Sequence, residues 1–220
     1  MPWPMVHFAI AIRLSLSNPS PHFLLGSIAP DAIHMREHVT RKEKGVTHFV
    51  SEDILPSVEV IKENCLRYLS VNTEQNWRDF ILGYFAHIYV DLRWTENVYI
   101  EFESNYLGDR KDIRQTYNRE MSQLEFNLLR SEKGAHNAIH RLQQSEAYLV
   151  EPLVTENEVN QYRDLKIGWL QDVGNEPKIK PIYFSKEVVE KFIANTTNEL
   201  KALFHDWGIQ FPGKETKMDC

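Results

Sequence analysis

Cysteine is scarce in this chain, with Cys65 and Cys220 the two among 220 residues. That is too few for a disulfide framework, so a packed core must hold the fold, and a reducing, cytoplasmic setting is the expectation. Long apolar runs are missing too. None reaches the roughly 18 residues that a membrane-spanning helix needs. The opening stretch MPWPMVHFAIAIRLSLSNPSP is apolar, but it lacks a basic n-region and a small-residue cleavage site, and Arg13 interrupts it. It reads as the first helix of the folded chain rather than a leader. Positive charge is also in deficit, with 25 Lys and Arg against 31 Asp and Glu, a formal net charge of -6. Nucleic acids and anionic membranes reward clustered cations, so neither is an expected partner. A small anionic substrate would need a local cation, such as a metal. Strand-like alternation, internal repeats and low-complexity tracts are absent as well.

What remains is helical periodicity on a chain that is 42% hydrophobic, enough for one sizeable core. His7, Ile10, Ala11 and Leu14 recur at i, i+3, i+4 and i+7, so His7 shares the inner face of a first helix. Similar stripes run through 54–71 and 115–130, and further helices are expected near 136–149, 156–172 and 186–207. Ser185 is the N-cap of the last of these and Gly208 its end. The segment RDFILGYFAHIYVDLRW, 78–94, is apolar nearly all round, as befits a helix at the centre of a bundle. Residues 18–52 and 174–184 carry loop punctuation, and IQFPGKETKMDC, 209–220, reads as a frayed tail. The expected fold is therefore all-α, a single multi-helix bundle over residues 1–208 around a buried central helix that carries His87 and Asp91.

Within that helix, His87 and Asp91 lie one turn apart and project together, with Gly83 clearing the space one turn earlier. A carboxylate in an apolar interior is costly unless it is paired or bound to a metal. Arg93 and Arg78 are the nearest cations in sequence, and a buried His–Asp hydrogen bond or an ion pair to a distant arginine accounts for the pair as well as a metal does. Other segments add donors: His7, the turn LLGSIAPDAIH with Asp31 and His34, and VTHFV, where His48 sits between apolar neighbours. Imidazole and carboxylate ligands of this kind suit zinc. His136 and His140 in AHNAIH have charged neighbours and read as a solvated face. Trp94 reads as core, His22 and His205 as structural, and His38 as solvent-facing.

An early histidine, the turn GSIAPD, an isolated histidine in THF and the helix GYFAHIYVD occur in that order over residues 7–91. The combination resembles the zinc-dependent phospholipase C family, which is related to single-strand-specific zinc nucleases of the same all-helical fold. The resemblance implies that Asp31, His48, His87 and Asp91 hold one zinc, and that Asp91 bridges to a second that also takes His7. It departs from the pattern in two places. Trp3 is internal, where secreted relatives use an N-terminal tryptophan amine, and WTEN follows Asp91 with no histidine until His136. Glu96 and His34 are the candidate substitutes. The implied activity is hydrolysis of a small phosphate-containing substrate by a metal-activated water, with one or two zinc ions and with Asp31 or Glu96 orienting the water. Two other readings stand beside it. A helical phosphohydrolase of the HD-domain kind would want an adjacent His–Asp pair, which occurs only at His205–Asp206, outside the cluster. A non-catalytic binding module would use the metal only as a staple.

Overall fold

The described part of the chain, residues 1–16 and 18–209 of a computed structural model, is all-α. Its helices are α1 Pro4–Leu14, α2 Pro21–Gly26, α3 Arg41–Thr47, α4 Val58–Leu69, α5 Gln75–Trp94, α6 Ile100–Asn105, α7 Ile113–Ser131, α8 Ala135–Leu142, α9 Glu156–Gln171 and α10 Lys186–Asp206. A 3-10 stretch, Ala29–Met35, follows α2, and a π turn, Thr95–Tyr99, joins α5 to α6. The only β pairings among the described residues are isolated bridges, Ser51 with Ile54 and Val150 with Val154. No helix among them is long and apolar enough to cross a membrane.

The α5 helix is central because it is apolar all round: Phe80, Ile81, Tyr84, Phe85, Ile88 and Val90 are each at most 2% exposed. It packs against α1, α2, α4 and α10. Its approach to α2 is set by two glycines. A Cβ at Gly83 would fall 2.1 Å from the Phe23 carbonyl oxygen, and one at Gly26 would fall 2.0 Å from that of Phe80. Only hydrogen fits at either position, so the two backbones touch. That contact brings the end of α2 onto the turn of α5 that carries His87.

Helix ends follow ordinary capping chemistry. Thr40 with Glu43 and Thr155 with Glu158 form capping boxes at α3 and α9, and the Ser185 hydroxyl accepts from Val188 N at α10 as the sequence suggested. The first turn of α1 is capped from afar: Met5 N donates to both carboxylate oxygens of buried Glu125 on α7, at 3.0 and 3.2 Å.

Several boundaries differ from the sequence expectation. The span 18–52 is not simply a loop but holds α2, the 3-10 stretch and α3, all too short to show a period. The helix expected over 54–71 starts at Val58, after Ser57 caps it. The helix expected over 136–149 ends at Leu142, where the Ser145 hydroxyl bonds back to the Leu142 carbonyl at 2.7 Å. Ile209, expected in the frayed tail, is buried in the core; residues 210–220 lie outside the described residues.

Candidate metal centre

Five side chains from four segments converge at the centre of the bundle. His7 comes from the inner face of α1, Asp31 from the 3-10 stretch and His48 from the residue that ends α3. His87 and Asp91 come from α5. His7, His48, His87 and Asp91 are at most 5% exposed. Donor atoms of His7, His87 and Asp91 lie within 4.8 Å of one another, as do those of Asp31, His48 and His87. The two groups share His87.

Asp91 faces three imidazoles. Its Oδ1 is 3.6 Å from His7 Nε2, and its Oδ2 is 3.3 Å from His87 Nε2 and 3.5 Å from His48 Nε2. Asp31 Oδ1 lies 3.5 Å from His48 Nε2 on the other side. None of these contacts has the length and alignment of a hydrogen bond. Both nitrogens of His7 and both carboxylate oxygens of Asp91 are buried without a hydrogen-bond partner. Buried polar atoms are ordinarily satisfied, and an orphaned carboxylate is especially costly. Neither Arg93 nor Arg78 relieves it: Arg93 is taken by Glu199 and Glu96.

The imidazoles are oriented from behind. His87 Nδ1 lies 2.9 Å from the Ser27 carbonyl oxygen, and a carbonyl can only accept, so Nδ1 carries a proton and Nε2 is the nitrogen that faces the centre. His48 Nδ1 likewise lies 3.2 Å from the Lys44 carbonyl oxygen and 2.9 Å from Thr47 Oγ1. The two Nε2 atoms then face each other at 3.3 Å. Two lone pairs at that distance repel unless a proton or a cation stands between them. Asp31 is held through its other oxygen, Oδ2, by the Tyr162 hydroxyl of α9 at 3.3 Å. Outer partners of this kind fix ligand tautomer and direction in metal sites.

Electrostatics express the same need for a cation. Burial alone would raise the Asp31 and Asp91 carboxyls, but the facing histidines outweigh it and hold both below the usual range. Burial and the neighbouring His87 push His7 down to about 3. Its ring stacks on that of His87 with centroids 4.1 Å apart, so only one of the two can readily be charged. Burial also works against a charged His87, yet the Asp91 carboxylate raises it to about 9. Three imidazoles and two carboxylates, arranged as two three-donor groups that share His87, fit a borderline metal such as zinc.

The centre opens on one side. A cleft of about 240 Å³ is lined by Asp31 and His48 at its floor and by His34, Arg41, Lys44, Val50, Asp53 and Leu55 around it. His34 stands at the rim, 42% exposed, with Nε2 3.9 Å from Asp31 Oδ1. Glu96 is elsewhere: it sits on the π turn, half exposed, and accepts from Arg93 Nη1 at 2.7 Å. It is outside the five-residue group, and Arg93 engages its carboxylate. Trp94 is core, with its Nε1 donating to the Tyr117 hydroxyl at 3.1 Å. His136 and His140 are exposed on α8, and His38 and His205 are exposed as well. His22 packs beside Tyr148. Tyr162, Ser27, Glu125 and Lys44 were not singled out from the sequence.

No family model matches the chain, and no curated protein or solved structure matches it either.

Proposed function

We propose that this chain is a zinc-dependent hydrolase of phosphate esters. The observation that carries the reading is the orphaned Asp91 carboxylate, buried against three imidazoles whose lone pairs it shares a centre with, beside an open cleft. His48, His87, Asp31 and Asp91 would hold one ion, and His7 with the second oxygen of Asp91 a neighbouring one. When bound, such a metal supplies the Lewis acidity that activates a water near neutral pH and polarises a phosphoryl oxygen.

The chain's own residues do the rest. The Ser27 and Lys44 carbonyls place a proton on Nδ1 of His87 and His48, so each ring would offer Nε2 to an ion. The Tyr162 hydroxyl occupies Asp31 Oδ2, which leaves Oδ1 facing the cleft, where it would hold the ion and orient an attacking water. The apolar surroundings of α5 keep bulk water from competing and strengthen each charge interaction. The scarcity of cysteine, with Cys65 buried and its thiol pushed up to about 12 by that burial, suits a reducing cytoplasm.

Hydrolysis of an aryl phosphate that chelator abolishes and zinc restores is the expected result, with His48→Ala inactive and the exposed His136→Ala unaffected. Activity that survives chelation refutes the reading. A second reading has its own observation: His7, His87 and Asp91 are all buried, as in a closed structural site. A metal that serves only as a staple would give no hydrolysis in the wild type and a lowered melting temperature on chelation.

A further inference from the structure

The cleft over the centre is small and carries an uncompensated cation. Its Arg41 is matched to Asp53 at 2.8 Å. Lys44 lines the same cleft as Asp31, His34 and His48, and has no carboxylate partner among the described residues. Its backbone is tied to the centre, because the Lys44 carbonyl accepts from His48 Nδ1 at 3.2 Å. Lys166 lies outside the cleft lining, beside Tyr162. Its ammonium lies 5.1 Å from the Tyr162 ring centroid and 5.6 Å from that of Trp3, and Tyr162 is the residue that holds Asp31. Lys44 thus leaves one unmatched positive charge at the opening over Asp31 and His48.

Two quantities select the ligand. A volume of about 240 Å³ falls below the roughly 300 to 1,000 Å³ of sites for drug-sized molecules, so a compact group fits and a bulky one does not. The cation at its wall is surplus to what a single negative charge requires once a metal lies below. Building on the hydrolase reading, we propose that Lys44 binds a non-bridging oxygen of a phosphate monoester dianion, and that the cleft prefers small, water-soluble monoesters to diesters. A dianion offers three equivalent terminal oxygens, one for Lys44 and the others for the floor. A diester offers two, carries half the charge and must place a second organic arm where Lys44 and Arg41 stand. In the reaction the water oxygen bonds to phosphorus, the ester P–O bond breaks, and the departing alcohol takes up one proton, leaving inorganic phosphate.

The test uses the full chain loaded with zinc and inorganic phosphate as the probe, titrated by calorimetry. Lys44→Gln is expected to weaken phosphate binding about tenfold with zinc content and melting temperature unchanged, while Lys201→Gln, exposed on α10, leaves it unaltered. Wild-type affinity in Lys44→Gln, or no phosphate binding by the wild type, overturns the proposal. Parallel rates on para-nitrophenyl phosphate and bis(para-nitrophenyl) phosphate should show a wild-type preference for the monoester that Lys44→Gln reduces about tenfold. A wild-type preference for the diester also overturns it. Phosphate bound through Lys44 with neither ester hydrolysed would uphold the recognition site and remove the hydrolase reading instead.

Discussion

Replacing Gly83 by alanine sets two effects of opposite sign against each other. In the interior of a helix, alanine is favoured over glycine by about 1 kcal/mol, so on propensity alone the change stabilises α5. The new Cβ, however, would stand 2.1 Å from the Phe23 carbonyl oxygen and 2.9 Å from Ser27 N, both backbone atoms that no rotamer change can move. Non-bonded heavy atoms settle near 3.5 Å, so α2 must retreat by on the order of 1 Å. Forced overpacking of this kind costs about 1 to 3 kcal/mol. The retreat also carries the Ser27 carbonyl away from His87 Nδ1, now 2.9 Å distant. A buried donor left without its partner costs about 1 to 3 kcal/mol more. The net expectation is a loss of about 1 to 5 kcal/mol, set against the roughly 5 to 15 kcal/mol that holds a domain together. Zinc affinity should fall about 10- to 100-fold as His87 loses its orientation. Urea unfolding gives the first quantity and competition with a chromophoric chelator the second. Gly168→Ala on α9 is the control, because its Cβ would meet nothing within 4 Å; there the propensity gain of up to about 1 kcal/mol should appear alone. A Gly83→Ala protein as stable as wild type, with unchanged zinc affinity, would refute the close-approach argument.

Other outcomes follow from the same geometry. Burial raises Glu125 to about 8, against an ordinary 4.5, so the unfolded chain ionises first and stability should fall between about pH 4.5 and 8, by roughly 1.4 kcal/mol per unit at most. Glu125→Gln keeps an acceptor for Met5 N and should flatten that slope in urea melts at pH 5 and pH 8; an unchanged slope counts against the assignment. Tyr162→Phe frees Asp31 Oδ2 and should weaken zinc binding about 10- to 100-fold with little change in fold; equal affinity would show that Tyr162 does not hold Asp31. Zinc in about 1,000-fold excess over its dissociation constant should add about 4 kcal/mol of stability, and a melting temperature indifferent to chelator would contradict a metal bound in the core.

The parts of this arrangement that were legible in the sequence are those set by spacing within one helix. Helical periodicity places His87 and Asp91 on one side of α5 and His7 on the inner face of α1, and an all-apolar circumference puts α5 at the centre. Contacts between elements leave no such mark. The Tyr162 hydroxyl reaches Asp31 across 131 residues and Met5 N reaches Glu125 across 120, and nothing in either local pattern announces the partner. The short α2 and α3 carry no helical signal because six or seven residues are too few to display a period; tertiary contact, not propensity, makes them helical. Glu96 misled for a related reason. Closeness to Asp91 in sequence suggested closeness in space, but the π turn beginning at Thr95 changes the helical register, and Arg93 three residues back captures the carboxylate. Gly83 was seen as room for side chains, whereas the room is filled by the backbone of α2.

In the proposed centre the buried Asp91 would be shared by metal ions held between α1, α3, α5 and the 3-10 stretch. Metal content of the purified full chain, prepared without chelator, measured by elemental analysis and compared with Asp91→Asn, tests it most directly. At least one transition metal per wild-type chain is expected. Asp91→Asn, which keeps the shape and removes the charge, should lose the metal on the His7 side first and the rest more readily than wild type. Equal metal content in both proteins, with only the melting temperature lowered in the variant, would contradict it.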